Sequence, residues 1–166
     1  MDIFDKIIRA GEKAIAEFNK PETHVKGDDF ENYVEDYMFF KDNYKLVHRT
    51  QDYSANKNRF IEESKEPDFK FKSIKTGKEF FVEAKYRSRF HNDAVEWCTF
   101  PQLKRYQEID RKTPVYLALG IGGNAYKPDY VFFIPLKDIK YTRLFRSFLK
   151  RYKVSVDSPI DHRLLK

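Results

Sequence analysis

Two carboxylates and an amine stand in neighbouring segments of the sequence with a spacing that suits phosphate chemistry. Glu83 and Lys85 are two residues apart in an apolar segment, so in a β-strand both side chains project from the same face. Asp68 follows Pro67 at the start of the preceding segment, where a twisted hairpin would bring its carboxylate close to that of Glu83. Adjacent carboxylates repel each other and bind a hard divalent cation, and a nearby ammonium can stabilise charge on a phosphate. The pattern predicts a site that hydrolyses phosphodiester bonds.

The triplet Glu83-Ala84-Lys85 is informative only through its surroundings. The chain also contains Glu63-Ser64-Lys65, which we interpret as a surface charge pattern. Residues 79–87, in contrast, are strongly apolar, and a charge inside such a strand costs free energy unless it has a purpose or a partner. The turn signal Thr76-Gly77 places this strand in a hairpin with the strand that Asp68 begins. The hairpin therefore positions the three side chains.

The elements around this hairpin are predicted to form one α/β domain. Apolar residues at helical spacing predict helices over 3–18 and 27–41, a helix that begins at Thr99, and a basic amphipathic helix over 140–153. Strands are predicted over 44–50, 67–74, 79–87, 115–121 and 130–134, a turn at Gly122-Gly123-Asn124, and a loop or frayed helix over 51–66. Strands with helices on both sides predict a single domain over 1–166. Its expected fold class is a three-layer α/β/α sandwich with a central mixed five-stranded sheet.

Four motifs, in order, resemble the core of a known nuclease superfamily. They are Phe30-Glu31 on the second helix, Pro67-Asp68, Glu83-Ala84-Lys85, and Gln102 at the start of the next helix. The order of elements, α-β-β-β-α-β, is also that of the PD-(D/E)XK nuclease superfamily, which includes restriction endonucleases, Holliday-junction resolvases and repair nucleases. The resemblance covers the domain core, about residues 27–136, and each motif residue is of the expected type.

The resemblance implies a restriction-endonuclease-like fold and a role for each residue of the hairpin. Asp68 and Glu83 would bind Mg²⁺ or Mn²⁺, helped by the backbone carbonyl of Ala84. Lys85 would assist the attacking water. Members of the superfamily often act as homodimers, so a homodimer is expected.

The resemblance also assigns two helical residues to the site. Glu31 would complete the acidic cluster as a further metal ligand, and Gln102 would position water, metal or phosphate. Each motif residue has an ordinary alternative as well: Glu31 as a surface residue, Gln102 as a first-turn helix residue, Asp68 as a turn residue, and Glu83 with Lys85 as an exposed pair. Their joint occurrence in this order favours the catalytic interpretation.

The net charge of +6 is concentrated at the end of the chain. Residues 137–166 contain nine Lys or Arg against three Asp or Glu, whereas residues 1–136 contain 23 of each. A localised basic surface attracts polyanions, of which nucleic acid is the commonest in a cell, although the same charges could form a solubilising face. We expect nucleic acid to contact Arg87 and Arg89 after the catalytic strand, and Arg143, Arg146, Lys150 and Lys153 on the last helix. Trp97 would either stack on an unpaired base or pack in the core.

Composition excludes several other classes of protein. No apolar run approaches the ~20 residues that a membrane-spanning helix needs, so no membrane partner is expected. A single cysteine, Cys98, excludes an internal disulfide framework and a cysteine-rich zinc site. A reduced, cytoplasmic setting follows as the simplest expectation.

Together these features predict a Mg²⁺-dependent nuclease that hydrolyses DNA as an endonuclease or in the manner of a resolvase. Two alternatives stay open: a non-catalytic nucleic-acid-binding module on the same fold, and a nuclease that acts on RNA. The intact set of Asp68, Glu83 and Lys85 favours catalysis over the binding module.

Overall fold

The computed structural model describes residues 22–50 and 66–166, together with Ile3 and Ile7. Ile3 and Ile7 are helical and exposed, and the rest of the helix predicted over 3–18 lies outside the described residues. The loop or frayed helix predicted over 51–66 also lies outside them, except for Glu66.

Helices and strands alternate along the described chain. The helices are α1 (Glu22–Tyr33), which continues into a π-helical turn (Val34–Met38), α2 (Phe100–Asp110) and the short α3 (Arg146–Leu149). The strands are β1 (Tyr44–Arg49), β2 (Phe69–Ser73), β3 (Glu79–Arg87), β4 (Ala94–Glu96), β5 (Val115–Asn124), β6 (Lys127–Pro135), β7 (Arg143–Phe145) and β8 (Lys153–Val154). Within these described ranges, no helix is both long and apolar enough to span a membrane.

The central sheet is mixed and has six strands, one more than the five that the sequence predicted. Its order is β1-β2-β3-β5-β6-β8, in which β3 and β5 pair in parallel and the other neighbours are antiparallel. Parallel strands need a crossover, and α2 lies in the connection between β3 and β5. The α/β fold class with a central mixed sheet is therefore confirmed, with β8 as the additional strand.

Each face of the sheet is covered by its own apolar core. On one face α1 packs on a mainly aromatic set that includes Phe71, Phe80, Tyr116 and Phe133. On the other face α2 packs on an aliphatic set that includes Val115, Leu117, Leu119 and Ile134. Strand β3 supplies Phe80 and Val82 to the first core and Phe81 to the second, as its alternation requires. Glu83 thus projects toward the α2 side of the sheet.

A glycine sets how closely α1 approaches the sheet. A Cβ added at Gly120 on β5 would lie only 2.5 Å from the ring of Phe30 on α1, so a larger residue would push the helix away. The first side chain after Phe30 is Glu31, the acidic residue that the resemblance assigned to the site. The small residue on β5 therefore fixes the depth at which Glu31 sits.

The prediction of a basic helix over 140–153 is wrong. The segment forms β7, α3, a 3₁₀ turn (Lys150–Tyr152) and β8 instead. Strand β7 pairs with β4, and Lys153 and Val154 pair with β6. These strand pairings override the helical pattern. Leu144 and Leu149 are buried, whereas Tyr141 and Phe145, which belonged to the apolar face of the predicted helix, are exposed.

Two further boundaries differ from the sequence prediction. Helix α1 begins at Glu22, five residues before the predicted start at Gly27, because a helical glycine costs only about 1 kcal/mol and does not end a helix. The turn predicted at Gly122-Gly123-Asn124 lies at 125–126, and β5 runs through both glycines with positive φ. Neither difference moves the hairpin that carries Asp68 and Glu83.

Candidate active site

The hairpin of β2 and β3 places Asp68 directly beside Glu83. Phe69 pairs with Val82, so the next position along the ladder brings Asp68 opposite Glu83. The Ala84 N–H donates to Asp68 Oδ2 at 2.9 Å, and the Asp68 N–H donates to Glu83 Oε2 at 3.2 Å. The Thr50 N–H, at the end of β1, donates to the Asp68 carbonyl at 2.8 Å. The two carboxylates predicted to share a site are therefore held together by backbone contacts.

Lys85 completes this group as predicted. Its Nζ lies 2.9 Å from Glu83 Oε1, and Glu83 itself is only 3% exposed. Burial alone would lower the pKa of Lys85, but the carboxylates of Glu83 and Asp68 outweigh burial and raise it above its usual value. Lys85 is therefore an ammonium at neutral pH.

Asp68 carries a strongly perturbed carboxyl. Burial, followed by the negative charges of Glu83 and Glu31, raises its pKa well above the usual value, and Lys85 and the Ala84 N–H offset only part of this effect. Ionised Asp68 thus lacks enough compensating positive charge. A bound divalent cation would supply that charge.

Glu31 lies near the hairpin but is held by an arginine that sequence reasoning missed. Arg49 Nη2 on β1 lies 3.3 Å from Glu31 Oε2, and Arg49 Nη1 lies 2.6 Å from Glu35 Oε2. Burial nevertheless raises the pKa of Glu31 to about 7, with Asp28 and Glu83 adding to the rise while Arg49 opposes it. The Arg49 guanidinium also lies over the Phe69 ring at 5.2 Å. Glu31 therefore acts on Asp68 through its charge, while its own carboxylate is paired with Arg49.

Tyr106 on α2 is a second residue that sequence reasoning missed. Burial raises the pKa of its hydroxyl far above the usual range, and Glu83, Asp68 and a hydrogen bond to Glu83 raise it further. Its ring stacks on Trp97 with centroids 6.4 Å apart. The sequence contained one signal for Tyr106: it lies four residues after Gln102, and positions i and i+4 share one face of a helix.

Gln102 has a structural role in this fold. Its Oε1 accepts hydrogen bonds from the Thr99 N–H at 3.0 Å and from the Thr99 hydroxyl at 3.3 Å. The Thr99 hydroxyl accepts in turn from the Gln102 N–H, which completes a capping box at the start of α2. Its described hydrogen bonds do not connect it to Asp68 or Glu83. A role toward phosphate stays a prediction.

The donor atoms suit a hard cation such as Mg²⁺. Within 22–50 and 66–166, no three His, Cys, Asp or Glu side chains converge as a complete ligand set. Asp68 and Glu83 supply carboxylate oxygens, the Ala84 carbonyl follows Glu83 in sequence, and Mg²⁺ commonly keeps several waters beside one or two carboxylates. Burial and the negative charges of Glu83 and Glu31 raise the pKa of Asp68, and a bound cation would offset both effects, so this pair is a fitting partial site.

The predicted nucleic-acid-binding residues fall into different environments. Arg87 is committed to the protein, because its Nε donates to the Glu96 carbonyl at 2.8 Å and its Nη2 to the Trp97 carbonyl at 3.4 Å. Arg143 and Arg146 pair with acidic residues of the β4 segment at 3.8 and 2.9 Å. The exposed members of the set are Arg89, Arg146, Lys150 and Lys153.

Trp97 is a core residue in this structure. It is fully buried, and its indole N–H donates to the Tyr141 carbonyl at 3.1 Å. The packing alternative for Trp97 is thus correct, and stacking on a base is not.

Comparison with known proteins identifies the fold. No protein-family description and no curated protein matches this chain. Among solved structures, it is similar to Hjc, a Holliday junction resolvase of the archaeal hyperthermophile Archaeoglobus fulgidus, with a TM-score of 0.53. The match covers 78% of this chain and 91% of Hjc at 14% identity. The chain has a restriction-endonuclease-like fold. The resemblance to PD-(D/E)XK nucleases is confirmed at the level of that fold.

Within the restriction-endonuclease-like fold, the hairpin carries the motif residues in the predicted order. Asp68 immediately precedes β2, and Glu83, Ala84 and Lys85 lie in β3. The structure brings Asp68, Glu83 and Lys85 together, and Glu31 adds its charge from α1. The site is thus a pair of carboxyls with one ammonium, and Glu31 contributes to it through its charge.

Proposed function

We propose that this chain is a metal-dependent nuclease that hydrolyses DNA phosphodiester bonds, as an endonuclease or in the manner of a resolvase. The proposal rests on the hydrogen-bonded arrangement of Asp68 and Glu83, with the Lys85 ammonium 2.9 Å from Glu83 Oε1. Similarity to a Holliday junction resolvase supports DNA as the substrate. A cytoplasmic location and a homodimeric state are further parts of this hypothesis.

Each residue of the cluster has a distinct task in this proposal. Asp68, Glu83 and the Ala84 carbonyl would hold Mg²⁺ or Mn²⁺. Such an ion, when bound, polarises a phosphate oxygen and lowers the pKa of a bound water. The raised pKa of Lys85 keeps it protonated, so it would donate a hydrogen bond to the attacking water or to a phosphate oxygen and would not act as a general base.

Two surrounding residues would hold Glu83 and tune the cluster. Tyr106 donates its hydroxyl proton toward Glu83 and so restricts the orientation of that carboxylate. Glu31, with a pKa of about 7, can hold or release a proton near neutral pH at the edge of the cluster. Both residues act through the two carboxylates of the hairpin.

The second candidate function is a non-catalytic nucleic-acid-binding module on the same fold. Both oxygens of Glu83 already have partners, Lys85 and the Asp68 N–H. An acidic cluster satisfied in this way can serve as a structural unit. An RNA-directed nuclease is the third, and it differs from the first only in substrate.

Cleavage assays separate these functions. Plasmid, single-stranded DNA, four-way junction DNA and RNA would be incubated with the protein in Mg²⁺, in Mn²⁺ and in EDTA. We expect metal-dependent cleavage of DNA, and a loss of at least about a hundredfold in Asp68→Asn and Lys85→Ala. Cleavage of RNA alone would select the third candidate, and binding without cleavage would select the second.

Controls come from the same hairpin. Lys70 and Glu79 form an ion pair at 3.4 Å across β2 and β3, away from the Asp68–Glu83 contact. Glu79→Gln and Lys70→Ala remove the same kinds of charge and should cleave at the wild-type rate. Equal cleavage by these controls and by Asp68→Asn would overturn the proposed site.

A further inference from the structure

A small second sheet projects from the α2 side of the domain. It consists of β4 and β7, and we call it the aromatic ribbon. Its inner face is apolar, because Val95 and Leu144 are buried in the second core. Its outer face carries Phe145, which is 51% exposed, next to Arg143. An exposed ring beside a guanidinium offers a flat face on which another π-system can stack.

The ribbon is anchored directly to the catalytic strand. Arg87, two residues after Lys85 on β3, donates to the carbonyls of Glu96 and Trp97 at the end of β4. The Trp97 N–H donates to the Thr142 carbonyl at 3.0 Å, just before β7. These bonds anchor the ribbon to the strand that carries Lys85.

A tight turn beside the ribbon carries a second aromatic ring, Phe90, which is partly buried against the second core. Asn92 and Asp93 both have positive φ, and His91 bridges to Ala94, so the two residues form a compact hairpin turn. Arg146 holds the turn through its N–H to the Asp93 carbonyl and its Nε to Asp93 Oδ1, both at 2.9 Å. The Arg146 guanidinium also lies 4.1 Å from the centroid of the Phe90 ring. Phe90 is thereby preorganised.

The rings on this surface alternate with positive charge. Arg143 lies 5.5 Å from the Phe145 ring, and Arg146 lies 4.1 Å from the Phe90 ring. The ion pair of Arg143 with Glu96 is long, at 3.8 Å, and exposed ion pairs contribute little free energy. A ligand that is complementary to this surface would therefore carry a flat aromatic group close to a negative charge.

We infer that the aromatic ribbon binds unpaired nucleotides of the nucleic acid that the site cleaves. An unpaired base can stack on Phe145, while its phosphate lies beside Arg143 and Arg146. Bases inside a regular duplex have no free face for such stacking. The substrate class is thus nucleic acid with single-stranded or branched parts. This inference rests on the proposed function, because it names the substrate of that same site.

The test measures binding without cleavage. An oligonucleotide with 2-aminopurine at one unpaired position would be titrated with protein in EDTA, as single-stranded DNA, as RNA of the same sequence and in a four-way junction. A perfect duplex serves as reference at the same salt concentration. We expect quenching of 2-aminopurine in at least one unpaired ligand, and about tenfold weaker binding of that ligand by Phe145→Ala with under twofold change for the duplex.

Two further substitutions distinguish stacking from simple apolar contact. Phe145→Trp should bind the unpaired ligand like wild type. Phe145→Leu should bind it as weakly as Phe145→Ala does, because leucine lacks a π-face. Ile74→Ala, which removes an exposed apolar side chain in the β2–β3 turn, is the matched control and should bind like wild type. Thermal melting checks that all variants are folded.

Several outcomes would overturn the inference. They are unchanged binding by Phe145→Ala, equal loss for duplex and unpaired ligands, restoration by leucine, and a change in oligomeric state in sedimentation, which would mark the ribbon as a contact between two copies. Failure of the proposed nuclease function would give a different set of results. In that case no DNA or RNA is cleaved with Mg²⁺ or Mn²⁺, while stacking on Phe145 is still measured in EDTA.

Discussion

Asp68 and Glu83 are joined through the backbone of the hairpin: the Asp68 N–H donates to Glu83 Oε2 at 3.2 Å, and the Ala84 N–H donates to Asp68 Oδ2 at 2.9 Å. These bonds hold two carboxylates together although burial and mutual repulsion raise the pKa of Asp68. The arrangement costs stability in the absence of a cation, and four predictions follow from it and its surroundings.

Asp68→Asn should stabilise the metal-free fold and abolish cleavage. The raised pKa means that ionised Asp68 opposes folding at neutral pH, and the amide oxygen of Asn can still accept from the Ala84 N–H. We expect the free energy of unfolding in urea with EDTA to rise by about 1–2 kcal/mol. Mn²⁺ should raise the Tm of wild type but not of the variant, because only wild type binds the ion. A metal-induced shift of equal size in both would contradict the assignment of Asp68 as a ligand.

Stability of the metal-free protein should depend on pH through Glu31. Its pKa is about 7 in the folded chain against 4.5 ordinarily, so the folded state binds the proton more tightly than the unfolded state does. The free energy of unfolding therefore falls as pH rises from about 4.5 to about 7, by about 1–3 kcal/mol, and is then constant for this group. Urea denaturation at several pH values in EDTA should show a shallower fall for Glu31→Gln than for wild type. Glu79→Gln is the control, and an identical pH dependence in Glu31→Gln would disprove the assignment.

Tyr106→Phe should slow cleavage with little effect on folding. The substitution keeps the ring that stacks on Trp97 but removes the hydroxyl that contacts Glu83, so the carboxylate loses one constraint. We expect kcat to fall about tenfold with a small change in KM, which corresponds to one hydrogen bond of about 1.4 kcal/mol. Calorimetric titration with Mn²⁺ should show weaker binding in parallel. Unchanged kcat and Mn²⁺ affinity would leave Tyr106 as a packing residue only.

Gln102→Glu should separate capping from catalysis. A glutamate at this position can accept from the Thr99 N–H as glutamine does, so the capping box and the Tm should be preserved. Thr99→Ala breaks the same box and should destabilise the protein by about 1 kcal/mol. If Gln102 only caps α2, Gln102→Glu cleaves normally. A large loss of activity at an unchanged Tm would show that the amide group contacts the substrate.

Much of the fold was predictable because short-range patterns determine it. Strand β3 was predicted over its observed span, since alternation of apolar residues and the turn at Thr76-Gly77 are local features. The helix after Thr99 followed from a capping residue and a proline in its first turn. The last segment could not be predicted in the same way. Pairing of β7 with β4 and of β8 with β6 depends on partners far away in sequence.

The chemical core of the site follows from local sequence patterns, whereas the residues around that core are brought there by tertiary packing. Asp68, Glu83 and Lys85 lie on one hairpin, so a two-residue period and one turn were sufficient to bring them together. Arg49 reaches Glu31 from another strand, and Tyr106 reaches Glu83 from a helix on the opposite side of the sheet from α1. Contacts of this kind leave no local pattern, because they arise only when separate elements pack on the two faces of one sheet.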